Sequence, residues 1–214
     1  MKKFLLNFLD WIYKRKCYCC GSSKESLPVC SRCYTKLDFN PPRVDRIILN
    51  TNVYIAGQYD KNMQKIIRGL KYHNKKDLAY YQAKFMYEYF QMLDINKICQ
   101  VVPVPLHKSR QKKRHYNHME LIADEFCNMS GFIKNTELIK RIKPTKPQYK
   151  LSKPERMENL QGAFLVNKEA DKNLPILLID DICTSGATFE SIILELHKQG
   201  INDITCFATS SPCS

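Results

Sequence analysis

One stretch, residues 176–188, constrains the fold of this chain more than any other. It begins with four apolar residues, Ile-Leu-Leu-Ile, whose lack of alternation is typical of a parallel strand covered on both faces. An apolar pattern with helical spacing follows, ends before Gly200, and consists of Phe189, Ile192, Ile193 and Leu196. Residues 204–209 then predict a second strand. This order of strand, loop, helix and strand predicts an α/β protein built on a parallel sheet.

Two carboxylates and a loop of small residues separate that first strand from the helix. Asp180 and Asp181 stand where the strand would leave the sheet, and open parallel sheets bind ligands beyond the carboxyl ends of their strands. The loop amides are suited to surround a phosphate at the helix N-terminus, and the loop comprises Cys183, Thr184, Ser185, Gly186, Ala187 and Thr188. Because carboxylates repel phosphate, we expect the acidic pair to face sugar hydroxyls or a divalent cation. The stretch therefore predicts a ribose 5-phosphate site, and the alternative is an ordinary turn with a solvated acidic pair.

The spacing of four cysteines near the N-terminus predicts a metal site. Two Cys-x2-Cys pairs are separated by nine residues, and such pairs close a tetrahedral thiolate site in many small zinc domains. We expect a structural zinc ion on Cys17, Cys20, Cys30 and Cys33, with Cys19 as the surplus thiol. A redox Cys-x2-Cys pair is the alternative. Ten cysteines without an export signal also predict a reducing compartment.

The charge of the chain favours an anionic partner. The net charge is +13, although solubility alone is another explanation for such an excess. A buried strand over residues 98–105 ends in Val-Pro-Val-Pro, and five basic residues follow it, Lys108, Arg110, Lys112, Lys113 and Arg114. Basic side chains beyond a strand's carboxyl end are placed to meet phosphate, so we expect them to bind nucleic acid. Residues 134–160 are polar and predict a mobile arm that closes over an anion.

These motifs, taken together, resemble a known family. Residues 179–188 are similar to the phosphoribosyl pyrophosphate (PRPP) signature of type I phosphoribosyltransferases. The whole order resembles the ComF family of competence proteins, from the four-cysteine finger through Lys71-Tyr72 and the Val-Pro-Val-Pro strand to the acidic loop. Between them lie Thr145-x2-Gln148-x2-Leu151 and Arg156-x2-Asn159-x2-Gly162-Ala163-Phe164. One departure is that the family's usual Gly-Phe-Asn-Gln stands here as residues 115–118, His-Tyr-Asn-His.

The resemblance implies a fold, ligands and site residues. It implies a type I phosphoribosyltransferase-like parallel sheet with flanking helices over residues 45–214, preceded by an N-terminal helix and zinc finger over residues 1–44. Asp180 and Asp181 would be the catalytic pair, with Mg²⁺ and PRPP as ligands. Lys71, Arg114 and the loop from Cys183 to Thr188 would bind the phosphates.

The resemblance also implies a role in natural transformation. The partner would be imported single-stranded DNA, handled in the cytoplasm or at the inner face of the cytoplasmic membrane, beside DNA-uptake helicase or channel components. An active phosphoribosyltransferase with an unknown acceptor is one alternative function. A binding-only adaptor of the uptake machinery is another.

Overall fold

The computed structural model of the chain describes residues 15–95, 97–145, 152–169 and 174–212. An amphipathic helix that the sequence predicts over residues 4–12 lies outside them, as do residues 146–151 of the polar arm. Within the described ranges, no helix combines the length and the apolar character that crossing a bilayer requires.

Strands and helices alternate along the described chain. The strands are β1 (Arg46–Ile48), β2 (Thr51–Gln58), β3 (Gln100–Pro103), β4 (Ile133–Lys134), β5 (Ile139–Arg141), β6 (Phe164–Val166), β7 (Ile176–Ile182) and β8 (Ile204–Ser211). The helices are α1 (Ser31–Tyr34), α2 (Lys61–Tyr72), α3 (Leu78–Phe90), α4 (Lys108–Arg114), α5 (His118–Ser130), α6 (Lys153–Leu160) and α7 (Ala187–His197).

Six of the strands form one sheet in the order β1-β2-β8-β7-β3-β4. Only the pairing of β1 with β2 is antiparallel, and the other neighbours run parallel. The register places Pro103 opposite Ile179 and Ser210 opposite Ile182, so the strands β3, β7 and β8 end at one edge. The predicted α/β architecture with a mostly parallel sheet is confirmed, and that shared edge is where its ligand site is expected.

Helices cover both faces of this sheet because β7 is apolar on both. Leu177 and Ile179 pack with α2, α3 and α5 in one core, whereas Ile176 and Leu178 pack with α7 and the β5–β6 pair in another. All four side chains are fully buried. A strand alternates its side chains between faces, so an uninterrupted apolar run is what two cores require.

The structure shows local elements that the sequence analysis did not predict. The basic segment after β3 is a two-turn helix, α4, and Lys71 and Tyr72 lie in the last turn of α2. The polar arm begins at the end of β4 and contains β5, which pairs with the later strand β6, and α6; the sequence analysis did not predict them because each element is short. Two of these elements carry arginines near the end of β7, Arg141 in β5 and Arg156 in α6.

Candidate functional site

The site is built around Asp181, a carboxylate near the carboxyl end of β7. Its Oδ2 atom lies 2.7 Å from Lys71 Nζ, in the last turn of α2, and 2.6 Å from His118 Nε2, in the first turn of α5. The side chain of Asp181 is only 5% exposed and that of His118 4%. Two helices on one face of the sheet therefore meet a single buried carboxylate.

The turn between α4 and α5 positions His118. His115 adopts a left-handed conformation with φ of 65°, a conformation that favours glycine, and Tyr116 then donates a hydrogen bond to the carbonyl of Leu70 in α2. Asn117 caps α5 by accepting a hydrogen bond from the backbone N–H of Met119 at 3.1 Å. This geometry explains why the ComF pattern has glycine at the position of His115, and it ties α5 to α2 directly beside the site.

Arg114 fixes the tautomer of His118. Its Nη1 atom lies 3.1 Å from His118 Nδ1, and a guanidinium can only donate, so Nδ1 accepts and the ring proton resides on Nε2. His118 Nε2–H then donates to Asp181. The guanidinium of Arg114 also stacks on the ring of Tyr72, with 5.3 Å between its Cζ atom and the ring centroid. A continuous chain of polar contacts thus runs from Arg114 through His118 to Asp181 and Lys71.

The surroundings keep His118 neutral and Asp181 ionised. Burial lowers the pKa of His118 to about 4, and the positive charges of Lys71 and Arg114 add to that effect, although Asp181 opposes it. Burial alone would raise the pKa of Asp181, but Lys71 and the hydrogen bond from His118 outweigh it and lower that pKa below its usual value. His118 is therefore neutral, and the two charges of this buried cluster lie on Asp181 and Lys71.

Asp180 faces the other side of the sheet, because adjacent strand residues alternate. Its Oδ1 atom accepts the backbone N–H of Asp181 at 2.9 Å, and the side chain is partly exposed at the depression over the loop. Burial and repulsion from Asp181 raise its pKa to about 7, against the pull of Lys71 and Arg141. The two carboxylates that the sequence treats as one pair thus have different partners and different charges near neutral pH.

The small-residue loop connects β7 with α7 as predicted. Gly186 has φ of 84°, and a Cβ atom there would lie 2.6 Å from Ile48 Cδ1, so the edge strand β1 packs against the loop. Two arginines hold Thr184: Arg46 Nη1 donates to its carbonyl at 2.9 Å, and Arg156 Nη1 donates to its hydroxyl at 2.6 Å. Cys183 is buried, which raises its pKa to about 11. A neutral thiol at that position suits packing rather than nucleophilic chemistry.

The remaining loop residues line one small depression. Asp180, Ile182, Cys183, Thr184, Gly186, Ala187 and Thr188 surround it, together with Phe189. Ser185 lies in the same loop, and its hydroxyl accepts a hydrogen bond from the backbone N–H of Ala187. Both arginines approach the loop at Thr184, so cationic groups already lie where an anion would sit.

Helix α4 divides its basic residues between two faces. Arg110 and Arg114 are four residues apart and turn inward, where Arg110 Nη2 donates to the carbonyl of Thr145 at 2.9 Å. Lys108 and Lys112 are exposed, and the side chain of Lys113 lies outside the described part of the structure. The five residues that the sequence predicts as one nucleic-acid surface are therefore two inward arginines and an outer lysine face.

A second buried arginine approaches the site from β5. Arg141 is 8% exposed, donates to the hydroxyl of Thr145 and stacks on Phe164, with 5.3 Å between its Cζ atom and the ring centroid. Its Nε atom is buried and makes no hydrogen bond. Burial lowers the pKa of Arg141 to about 10, and the nearby Arg110 reinforces this effect while Asp180 opposes it. Arg141 thus places positive charge near Asp180, and Arg110 adds to the positive charge around Arg141.

The four predicted zinc ligands converge. The sulfur atoms of Cys17, Cys20, Cys30 and Cys33 all lie within 4.8 Å of one another. Cys20 Sγ and Cys30 Sγ are 3.7 Å apart, close to the roughly 3.8 Å expected between two sulfurs on one tetrahedral zinc ion with Zn–S bonds of about 2.3 Å. Among the described residues this is the one group of three or more His, Cys, Asp or Glu with such geometry. The cluster could hold a metal such as zinc.

The thiols of this cluster have opposing pKa shifts. Burial raises the pKa of Cys17, but the backbone N–H groups of Cys30, Cys20 and Cys19 outweigh it and lower the value to about 6. Burial raises the pKa values of Cys30 and Cys33. A cation is therefore needed before all four thiols can ionise, and metal binding would release protons.

The cysteine segment is anchored on α2. Lys65 donates to the carbonyl of Cys19, and Asn62 Nδ2 donates to the carbonyl of Cys33 at 3.4 Å. The ring of Tyr18 fills the space over Gly69, where an added Cβ atom would lie 2.7 Å from Tyr18 Cε1. The cysteine cluster and the Asp181 site thus lie against the same helix.

Sequence reasoning missed three residues of this site. His118 was not predicted as a site residue, yet it contacts Asp181 across 63 positions. Arg46 and Arg156 were not singled out as loop contacts. The available signals were the departure of residue 118 from the ComF pattern and the place of Arg156 within a quoted motif.

Removing the metal should unfold the cysteine segment. The variant Cys30→Ser should bind no zinc and lose well over about 2 kcal/mol of unfolding free energy, because the segment is too short to hold a core of its own. Elemental analysis and urea denaturation measure both effects. Cys19→Ser is the matched control and should retain one equivalent of zinc, since burial raises the pKa of that thiol to about 12 and it lies outside the cluster. Zinc bound equally by both variants would contradict the assignment.

Two substitutions of His118 should show how much its two hydrogen bonds, as distinct from its imidazole ring, contribute to stability. In His118→Gln the amide can still donate to Asp181 and accept from Arg114, so we expect a loss below about 1 kcal/mol. In His118→Ala both contacts are lost and Asp181 stays buried, so we expect a loss of about 1 to 3 kcal/mol. Urea denaturation near neutral pH measures both values. Equal stability of the two variants would refute the hydrogen-bond role.

Asp180→Asn should stabilise the protein in a pH-dependent way. The folded-state pKa of about 7 lies above the ordinary 3.8, so the Asp180 carboxyl resists ionisation in the folded protein. The resulting loss of folding stability reaches its full size only above about pH 7. We expect a gain of about 1 to 2 kcal/mol there, discounted for partial exposure, that fades on acidification and vanishes near pH 4. Thermal denaturation across this range measures it. Asp181→Asn, the control, should instead destabilise above pH 7, and a gain for both would contradict the assigned charges.

Comparison with known proteins gives related chains. No protein-family model matches the sequence. Competence protein F of Haemophilus influenzae is 26% identical over 200 residues, which cover 88% of this chain and 86% of that protein. The DNA utilization protein YhgH of Salmonella typhimurium is 26% identical over 190 residues, with 86% and 78% covered. The YhgH protein of Escherichia coli is 24% identical over 195 residues, with 87% and 80% covered.

These similarities extend along most of each chain. Two of these relatives carry a name that refers to DNA utilization, and the other is named for competence. The similarity to Competence protein F and to the YhgH proteins confirms the resemblance to the ComF family of competence proteins that the motifs predicted.

Proposed function

We propose that this protein acts in natural transformation, where it handles incoming single-stranded DNA and binds PRPP or a related ribose phosphate with Mg²⁺. The names of Competence protein F and of the YhgH proteins support a role in competence and in the use of imported DNA. The uptake helicase or channel would be neighbouring components of the same process. The protein would work on the cytoplasmic side of the membrane.

The observation that carries the ribose-phosphate proposal is the loop after β7. Six small or polar residues turn at Gly186 into the N-terminus of α7, and the helix N-terminus favours an anion. Arg46 and Arg156 add two guanidinium groups at Thr184. A phosphate over this loop would accept hydrogen bonds from backbone amides and from these arginines, and the two arginines would exchange part of their contact with Thr184 for the anion.

The residues beside the loop suit the rest of such a ligand. Asp180 lines the depression over the loop and is partly exposed, so its carboxylate is available to ribose hydroxyls or to a Mg²⁺ ion that the ligand carries on its own phosphates. Asp181 is committed to Lys71 and His118 and would act by holding Lys71 at the edge of the sheet. Arg141 lies near Asp180, Arg110 lies near Arg141, and both would meet the pyrophosphate.

The fold supports the proposal at a coarser level. A mostly parallel sheet with its loops at one edge is compatible with a type I phosphoribosyltransferase-like domain over residues 45–214, and the cysteine cluster lies in the segment before it. Within that frame the exposed lysines of α4, Lys108 and Lys112, would contact the phosphates of a DNA strand. The net charge of +13 gives the same partner a long-range attraction.

Substituting Gly186 should abolish ribose-phosphate binding. In Gly186→Ala the new Cβ atom would lie 2.6 Å from Ile48 Cδ1, and the alanine would have to adopt a φ of 84°, so the loop must shift. We expect calorimetry with Mg²⁺ and PRPP to show binding to the wild type and at least a tenfold loss in the variant. Gly131→Ala is the matched control, because its φ is 74° but no atom lies within 4 Å of the added Cβ. It should bind PRPP as the wild type does.

Two outcomes would count against the proposal. A wild-type protein that binds no PRPP at millimolar concentration would overturn the ribose-phosphate site. Equal losses in Gly186→Ala and Gly131→Ala would mean that the left-handed backbone conformation, rather than the loop, controls binding. Circular dichroism of both variants checks that each is folded before the titration.

A further inference from the structure

A second polar cavity lies one strand away from the proposed sugar-phosphate loop. Its volume is about 220 Å³, roughly the share of seven water molecules in the liquid. It opens where β2 and β8 end, and its walls include the segment before β1. The hydrogen-bonding side chains in its walls belong to Asn40, Arg43, Asp45, Arg46, Gln58 and Ser211.

The walls of this cavity are held in place by buried hydrogen bonds. The hydroxyl of Tyr89, which is fully buried, donates to the carbonyl of Pro41 at 3.0 Å. Asn40 Nδ2 donates to the carbonyl of Ile55 at 3.0 Å, and its Oδ1 accepts from Gln58 at 2.7 Å. The segment before β1 is therefore an ordered wall rather than a flexible linker.

The charge of the cavity favours an anion. Its two arginines, Arg43 and Arg46, make no ion pair with any carboxylate of the described residues. Asp45 lies near both arginines and offsets part of their charge, and its Oδ2 also accepts the backbone N–H of Ile55 at 2.7 Å. Arg43 is exposed at the rim, and Arg46 is partly buried. Two guanidinium groups against one occupied carboxylate leave an excess of positive charge.

The chemistry of the lining excludes other ligand classes. Sites for drug-like small molecules are mostly apolar and rich in aromatic rings, whereas this lining is polar and none of its described residues is aromatic. A nucleobase would find no ring on which to stack. Guanidinium and amide groups instead match the oxygens of a phosphate, which arginine can contact with two parallel hydrogen bonds.

Arg46 joins this cavity to the proposed sugar-phosphate loop. It lines the cavity, while its Nη1 atom donates to the carbonyl of Thr184 at 2.9 Å. That contact holds the guanidinium between the cavity and the loop, and it does not use all five of the N–H donors of Arg46. A phosphate in the cavity would therefore lie one arginine away from a phosphate on the loop.

We propose that this cavity, with Arg43 and Arg46, is a second phosphate-binding site that takes a phosphodiester of a single-stranded nucleic acid. The nucleic-acid ligand rests on the proposed function, but the site is distinct from the loop after β7 and from the lysine face of α4. A nucleic-acid strand bound in this cavity would run past the carboxyl ends of β2 and β8. Free phosphate shares the same chemistry and is the other source of such a group.

The test compares binding of a fluorescent oligothymidylate by anisotropy in Arg43→Ala, Arg43→Lys and the wild type, between about 50 and 200 mM salt. Arg43 is exposed, so the variants should fold. We expect Arg43→Ala to bind about tenfold more weakly at low salt and to lower the slope of log affinity against log salt by about 0.7, the value of one phosphate contact. Arg43→Lys should keep that slope.

The matched control is Lys198→Ala, which also removes one exposed positive charge. Lys198 follows the last residue of α7, at the end of that helix farthest from the loop. It should leave both affinity and slope unchanged. A loss in Lys198→Ala equal to that in Arg43→Ala would show a general charge effect and overturn the proposal.

Calorimetry with inorganic phosphate and with Mg²⁺ and PRPP completes the test. Loss of phosphate binding in Arg43→Ala with unchanged oligothymidylate binding would keep the site and assign it to free phosphate. If Arg43→Ala changes neither, the proposal is overturned. Because the readouts with oligothymidylate and with inorganic phosphate do not involve PRPP, a wild type that fails to bind PRPP would refute the proposed function, while those two readouts would still test the cavity. Binding of PRPP should be equal in Arg43→Ala and wild type.

Discussion

Asp181 is a carboxylate held almost entirely out of water, and the carboxyl edge of the sheet is organised around keeping it ionised. Lys71 and His118 come from two different helices, and each supplies a hydrogen bond that replaces one lost to water. Removing one partner of a buried ion pair is costly because the other charge remains unpaired. The orientation of α2 and α5 on the sheet is therefore coupled to a single side chain, and Arg114 extends this coupling to α4.

The division of work between Asp180 and Asp181 follows from the geometry of a strand. Neighbouring residues point to opposite faces, so the first carboxylate meets the arginine-rich side while the second meets the lysine and the histidine. One stays partly open and hard to ionise, and the other is closed and ionised. Two adjacent acidic residues thus supply two unlike groups, of which Asp180 is suited to contact a ligand and Asp181 to hold α2 and α5 on the sheet.

Much of the central fold could be predicted from sequence, because it depends on local patterns. The apolar run before Asp180 specifies a doubly covered strand, and the spacing of the four cysteines specifies a cluster. Helix α4 was missed because its inward face carries Arg110 and Arg114 where a helix normally shows apolar residues. The contacts of His118, Arg46 and Arg156 were beyond prediction, since each depends on packing between segments far apart in the chain.

Helix α2 contacts the cysteine cluster along its side and the buried carboxylate at its end. Asn62 and Lys65 contact the cysteine segment, Gly69 accommodates Tyr18, and Lys71 meets Asp181. From Asn62 to Lys71 the helix rises about 14 Å, at about 1.5 Å per residue. The cysteine segment therefore supports α2 from Asn62 to Gly69, two residues before Lys71. If the cysteines hold a metal, its loss would weaken this support and loosen the ammonium group of Lys71, without any change in the residues that touch a ligand.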